Sequence, residues 1–257
     1  MKNRFPILLL AVLCSCSGHP KHDSASECAS AQDSCAVAPV VETPVSKEYD
    51  ASGFVLLTDV VPDAILEIRY YSTYNFIGTR IDGYEQPVAL MTREGAEALK
   101  AVSASLKSQG YLLKVFDAYR PQKAVDHFVR WAKDQADTLT KQYFYPEIPK
   151  SEIFPRGFVS AHSGHSRGST IDLTLFDMRT EREVDMGGTF DFFGDRSHFA
   201  HPVDPEQRRL RNLLRQEMSK GGFRPIEGEW WHFTLRNEPY PDTYFAFPNS
   251  VESLPNE

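Results

Sequence analysis

The feature that most constrains this chain is an aspartate in the middle of a strand. Residues 170–176, TIDLTLF, alternate Ile171, Leu173 and Leu175 with Thr170, Asp172 and Thr174, the two-residue period of a β-strand. The apolar set takes the core face, so Asp172 projects from the other, and a buried carboxylate on a strand wants a partner. A metal ion is one such partner. His165 stands upstream in the small-residue loop SGHSRGS, and His232 lies in WHFTL, a second run with strand alternation. Two imidazoles and one carboxylate, with a fourth position left for water, make the ligand set of a hydrolytic zinc site. Their charge of −1 against +2 leaves a positive centre that can polarise a carbonyl and acidify water.

The stretch GEWWHFTLR, residues 228 to 236, sets Glu229 three positions before His232. Three is an odd offset, so in a regular strand the two side chains point to opposite faces. For both to face one metal the chain must turn between them, and Gly228 is expected to permit that. Glu229 then serves as a general base beside the ligand, with Trp230 and Trp231 walling the site against bulk water.

Elements of both kinds surround these motifs. Thr92 is placed to cap a helix whose stripe is Ala96, Leu99, Val102 and Leu106, ended by Gly110. YLLKVFDAY reads as a buried strand, and Pro121 opens a helix whose inner face is Val125, Phe128, Val129 and Ala132. Asp204 caps a further helix with Leu210, Leu213, Leu214 and Met218 inward, ended by Gly221 and Gly222. No regular βαβ rhythm and no Gly-rich phosphate loop occurs, which points to an α+β domain and away from a doubly wound one.

The beginning of the chain has another character. MKNRFPILLLAVLCSC carries Lys2 and Arg4 ahead of an apolar run, then small residues. That is a secretory signal, too short for a stable membrane span. Residues 1–15 are read as a lipoprotein signal peptide and Leu13-Cys14-Ser15-Cys16 as a lipobox, making Cys16 the lipidated first residue of the mature chain. Residues 16–50, rich in Ser, Ala, Pro, Asp and Lys, form a flexible tether, and residues 51–257 the folded domain. Cys28 and Cys35 fall in the tether, where a disulfide and free thiols are both open readings. No cysteine follows residue 35, which excludes a cysteine nucleophile or cysteine-ligated metal in the domain. The net charge of −7, with no basic block, argues against nucleic acid as a partner.

Taken together, these residues resemble the D-alanyl-D-alanine dipeptidases of the VanX type, within a larger group of zinc D,D-peptidases. The larger group's pattern S-x-H-x-x-G-x-A-x-D matches Ser163, His165, Gly168 and Asp172, and its terminal E-x-W-H matches Glu229, Trp231 and His232. HSRGS with IDLTL, DAYRPQ, EWWHF, and FDF followed by RSH mark the dipeptidase branch. One departure is Thr170 where the pattern has Ala, for which a packing adjustment is expected. The resemblance runs from about Leu66 to the end. It implies a single Hedgehog/D,D-peptidase-like domain with a central, mostly antiparallel sheet flanked by helices.

The resemblance also implies one zinc per domain on His165, Asp172 and His232, with Glu229 as catalytic base and Arg120 as the arginine that meets the transition state. A guanidinium fixed ahead of Pro121 can donate to a developing oxyanion; an Arg120–Asp117 pair is the plainer alternative. It further implies that Asp191 binds the substrate's ammonium group, that Tyr70 contacts the same end, and that Ser163 helps position substrate. His162, His198 and His201 are not expected to be ligands, His19 and His22 lie in the tether, and Phe144, Tyr145 and Pro146 read as loop packing. The expected activity is hydrolysis of D-Ala-D-Ala to two D-alanines by an exported lipoprotein held at the membrane through its lipid anchor alone. The alternatives are a D,D-carboxypeptidase acting on peptidoglycan stem peptides, and a non-catalytic, zinc-stabilised lipoprotein that binds cell-wall peptide.

Overall fold

The computed structural model describes residues 50–255. The signal peptide, Cys16, the tether and Cys28 and Cys35 lie outside the described residues. In chain order the elements are β1 (Phe54–Leu56), α1 (Leu57–Val60), β2 (Ile65–Leu66), β3 (Leu90–Thr92), α2 (Arg93–Ser108), β4 (Tyr111–Asp117), α3 (Gln122–Lys133), α4 (Lys141–Phe144), α5 (Lys150–Ile153), β5 (Thr170–Asp177), β6 (Arg182–Glu183), α6 (Pro205–Lys220), β7 (Phe223–Ile226) and β8 (Glu229–Leu235). The main sheet runs β2-β4-β5-β8-β7, with β6 on the edge of β5. Among the described strands of this sheet the β2–β4 pair is parallel, and the β4–β5, β5–β6, β5–β8 and β7–β8 pairs are antiparallel. This is the α+β architecture expected of the sequence. No helix of the described residues is long and apolar enough to cross a membrane.

The helices form where capping and apolar stripes coincide. Thr92 Oγ1 accepts from Gly95 N at 3.3 Å, and Ala96, Leu99, Val102 and Leu106 are buried beneath α2. Asp204 and Gln207 close a capping box on α6, which buries Leu210, Leu214 and Met218 while Leu213 is half-buried. Pro121 falls one position earlier than the sequence pattern predicts. It is the N-cap of α3 with ψ 145, and the first helical N–H, that of Gln122, donates to Phe245 O at 3.0 Å.

Helix α2 packs on β4 and on α6, and α6 on β5, β7 and β8. Every residue from Thr170 to Leu175 is buried, so both faces of β5 are covered. Alternation puts Asp172 opposite Ile171 and Leu173, and it is Asp172 that lines the cleft. The register aligns the chemistry, because Asp117 of β4, Asp172 of β5 and His232 of β8 are successive cross-strand partners.

Candidate active site

Strand register and one tight turn bring the predicted ligands together. His165 sits in the 3-10 turn Gly164–Arg167, which runs into β5 through Gly168 at φ 82. A Cβ at Gly168 would meet the Phe54 ring at 2.2 Å, so glycine is needed there for conformation and for space. His165 Nδ1 lies 2.7 Å from Ala118 O. A carbonyl only accepts, so Nδ1 carries the proton and Nε2 presents its lone pair to the cleft. From Nε2 it is 3.1 Å to Asp172 Oδ2 and 3.3 Å to His232 Nδ1, and His232 Nδ1 is 3.0 Å from Asp172 Oδ1.

These separations test whether zinc fits. Bonds of 2.0–2.1 Å in a tetrahedron place ligand atoms about 3.3 Å apart, close to the His165–His232 separation and to the distance from each of these nitrogens to its nearer Asp172 oxygen, Oδ2 for His165 and Oδ1 for His232. Asp172 Oδ1 is buried without a hydrogen-bond partner among the described residues although His232 Nδ1 is so near. Such an unpartnered, buried carboxylate oxygen beside an imidazole nitrogen is what a metal ligand pair presents. Burial pushes the His165 imidazole down, toward the neutral form a ligand needs. Burial alone would raise the Asp172 carboxyl, but the two histidines outweigh it and hold the group well below the usual carboxylate range. The donor set fits zinc.

Glu229 joins this group by a route different from the expected one. Gly228 does not supply the turn: it precedes both residues and shows no left-handed φ. The distortion lies within β8, where Pro225 pairs with Phe233 but Ile226 already pairs with Glu229, so Trp230, Trp231 and His232 bulge from the β7 ladder. The bulge overrides the alternation and brings Glu229 Oε2 within 3.3 Å of His232 Nδ1. Glu229 keeps 29% of its side chain exposed at the cleft. Burial within the cleft wall raises its carboxyl, His232 opposes that and the Asp172 charge adds to it, leaving it above the ordinary glutamate value. The bulge also separates the tryptophans. Trp231 lines the cleft, whereas the Trp230 ring lies beneath the Arg211 guanidinium at 5.7 Å and is not part of the wall.

Arg120 both pairs with Asp117 and faces the site. Its Nε donates to Asp117 Oδ2 at 2.9 Å, while Nη1 and Nη2 stand 3.5 Å from Ser163 Oγ and Asp172 Oδ2. The guanidinium rests on the Tyr70 ring, 4.9 Å from its centroid. Beyond Tyr70 comes Asp191, whose carboxylate accepts from Tyr70 Oη at 2.9 and 3.2 Å. Asp191 is 7% exposed and has φ 61. Burial, and then the Asp172 charge, push its carboxyl well up. The cleft therefore reads in order Asp191, Tyr70, Arg120 with the three candidate metal ligands, and Ser163.

Asp117 is the site residue that sequence reasoning undervalued. Fully buried, it accepts from Tyr84 Oη at 2.6 Å and from Arg120, and lies 3.5 Å from His165 Nδ1. It ends an apolar strand, where a buried carboxylate needs a partner as Asp172 does inside its own strand. His162 lines the cleft mouth with its ring 5.0 Å from that of Tyr244. The rings of His198 and His201 take no part in the cleft lining. Thr170 Oγ1 pairs with Thr234 Oγ1 at 2.9 Å across the register, which accommodates the hydroxyl that the family pattern lacks. Phe76, Phe128, Phe158 and Phe193 complete a cleft of about 250 Å³.

Comparison with known proteins points to one family. The sequence model of a family described as D-ala-D-ala dipeptidase matches residues 50–250. A D-alanyl-D-alanine dipeptidase of Enterococcus faecalis is 42% identical over 197 residues, covering 76% of this chain and 98% of its own. One from Streptomyces coelicolor is 40% identical over 196 residues, 76% and 97% of the two chains. One from Escherichia coli is 35% identical over 187 residues, 72% and 86%.

Proposed function

The chain belongs to the D-Ala-D-Ala dipeptidase family of M15 peptidases, and on that premise we propose that it hydrolyses the free dipeptide D-Ala-D-Ala to two D-alanines. The observation that carries this reading is the order along the cleft, with a buried carboxylate at one end and three converging ligand atoms beside a carboxylate base and a guanidinium. The cleft volume of about 250 Å³ is below the roughly 300–1,000 Å³ usual for drug-sized ligands, as suits a dipeptide.

Zinc held by His165 Nε2, Asp172 and His232 Nδ1 would supply a Lewis acid for the scissile carbonyl and an acidified water. The chain's own residues do the rest. Asp191, with Tyr70 Oη on its carboxylate, takes the substrate ammonium; that cation offsets the burden of a buried charge near Asp172. Arg120, steadied by Asp117 through Nε, directs Nη1 and Nη2 toward the carbonyl oxygen as it gains charge. Glu229 accepts the proton of the attacking water at a carboxylate oxygen and passes it to the leaving amine, and its raised pKa brings it nearer the working range of a base that must also act as an acid. Trp231 and the phenylalanines exclude bulk water. Ser163 positions the far side of the substrate.

We further propose that the domain is exported and anchored through lipidated Cys16, with residues 16–50 as its tether. The support is the sequence pattern of residues 1–16 alone. Comparing kcat/KM for D-Ala-D-Ala, its N-acetyl derivative and a stem pentapeptide tests the activity. The free dipeptide should be preferred by roughly ten- to over a hundredfold, the worth of one charge-assisted contact. Equal or better cleavage of the pentapeptide would favour a D,D-carboxypeptidase, and binding without turnover would favour a cell-wall-peptide binder.

A further inference from the structure

Helix α6 lies outside the cleft, yet it carries a buried cation that this chemistry does not use. Arg211 is 1% exposed, and its guanidinium donates to three main-chain carbonyls instead of to a carboxylate. Nε reaches Met186 O at 2.6 Å, Nη1 His198 O at 2.8 Å, and Nη2 Arg196 O at 2.9 Å. Burial without a carboxylate partner pulls the Arg211 pKa down to about 10. One turn earlier on the same face, Arg208 donates to Phe199 O and His201 O at 2.5 and 2.6 Å. Five carbonyls are thus held by two arginines of one helix, three on the two stems of one loop and two just after it.

That loop, residues 186 to 198, carries Asp191. Its aspartate sits in the left-handed region, uncommon for a residue with a Cβ though more open to aspartate than to most, and the ties around it hold it there. Its carboxyl lines the same cleft as Asp172, whose charge opposes its ionisation. Phe190, stacked on Phe116 at 4.8 Å, anchors one flank of Asp191, and the Phe193 N–H donating to Phe144 O at 2.7 Å ties the other. Arg211 closes the base. Only a planar fork can reach three carbonyls on both stems at once; an ammonium on a flexible stem cannot copy it.

We propose that Arg211 is a positioning residue for the ammonium end of the cleft: by tying both stems of the 186–198 loop to α6, it holds Asp191 where free amino termini are told from acylated ones. The proposal rests on the reading of Asp191 given above. The test is the ratio of kcat/KM for free D-Ala-D-Ala to that for the N-acetyl dipeptide, measured on the zinc-loaded full chain. This ratio cancels the fraction of folded enzyme, so a purely structural loss does not move it. Arg211→Met should lower the ratio by about ten- to a hundredfold, the scale of a misplacement near 1 Å, and Arg211→Lys should recover part of the loss. Arg208→Gln, at a less buried position, should lower it by about threefold by the same misplacement argument, and it decides the matter should Arg211→Met not fold. A ratio unchanged from wild type in Arg208→Gln and in every Arg211 variant that folds overturns the proposal. A wild-type enzyme that does not prefer the free dipeptide instead overturns the reading of Asp191, and this inference with it.

Discussion

The β4–β5–β8 strands and the 186–198 loop both present buried acids to one cleft, but they hold them by different means. On the strands, Asp117, Asp172 and His232 are neighbours because the hydrogen-bond register makes them so. Shifting one of them means shifting a ladder, and a one-residue slip would turn every side chain to the wrong face. On the loop no ladder exists. Asp191 stays in place through scattered ties of its loop to α6, to Phe144 and to Phe116, at a left-handed backbone angle. Rigid register suits the groups that must hold a metal and move a proton, whereas tunable ties suit the group that selects the substrate.

If that division is right, changes on the sheet should stop chemistry and changes on the loop should alter choice. The largest effect is expected from replacing His165, Asp172 or His232 with Ala, which should abolish turnover of every substrate alike. Glu229→Ala should keep the fold and the metal yet lower kcat by about 10²–10⁴-fold, the usual worth of general base catalysis. Arg120→Lys should lower kcat by about 10²–10³-fold, as for other lost oxyanion donors. Single-turnover assays with the free and acetylated dipeptides check both, and the loss should be similar for the two substrates.

Asp191→Asn should behave otherwise. Turnover of the free dipeptide should fall by about ten- to a hundredfold in kcat/KM, while that of the acetylated dipeptide changes little. The same variant should expose what the loop carries. Because the folded Asp191 carboxyl is raised above its unfolded value, its ionisation favours the unfolded state, and the native state loses stability as pH rises from about 4. The thermal midpoint of Asp191→Asn relative to wild type should therefore climb between acidic and neutral pH. A constant difference would contradict the assigned burial.

Smaller effects mark the edges of the comparison. Thr170→Ala removes one half of the Thr170–Thr234 pair and should cost about 1 kcal/mol in denaturant melts, with zinc content and turnover unchanged. Cys16→Ser should leave catalysis untouched and release the protein from membranes, since stable anchoring needs more than one acyl chain. Membrane fractionation decides it, and a serine variant that stays in the pellet contradicts the lipobox reading.

The same division explains what could be read before the structure. Asp172 and His232 stand out in the sequence because strand alternation leaves few places for a polar side chain to go, and His165 and Glu229 through the spacing of the motifs that resemble the family's. Asp117 carries a weaker signal, an acid at the end of an apolar strand, which an ion pair with Arg120 is enough to explain. The β8 bulge was not legible, because it needs Pro225 and Ile226 of β7 to pair across three unpaired residues, and no local pattern in EWWHF encodes that. Hence Gly228 received a role that the ladder plays, and Trp230 was placed in the wall with Trp231. Least legible of all was the hold of Arg211 on the loop. Its partners are main-chain carbonyls up to 25 positions away, and a carbonyl leaves no mark in a sequence.

Zinc content, measured by elemental analysis on wild type, His232→Ala and Asp191→Asn side by side, tests the central claim most directly. The account predicts one zinc per chain in wild type and in Asp191→Asn, and none retained in His232→Ala. Full zinc in His232→Ala, or its loss from Asp191→Asn, would show that the sheet and the loop do not divide the work in this way.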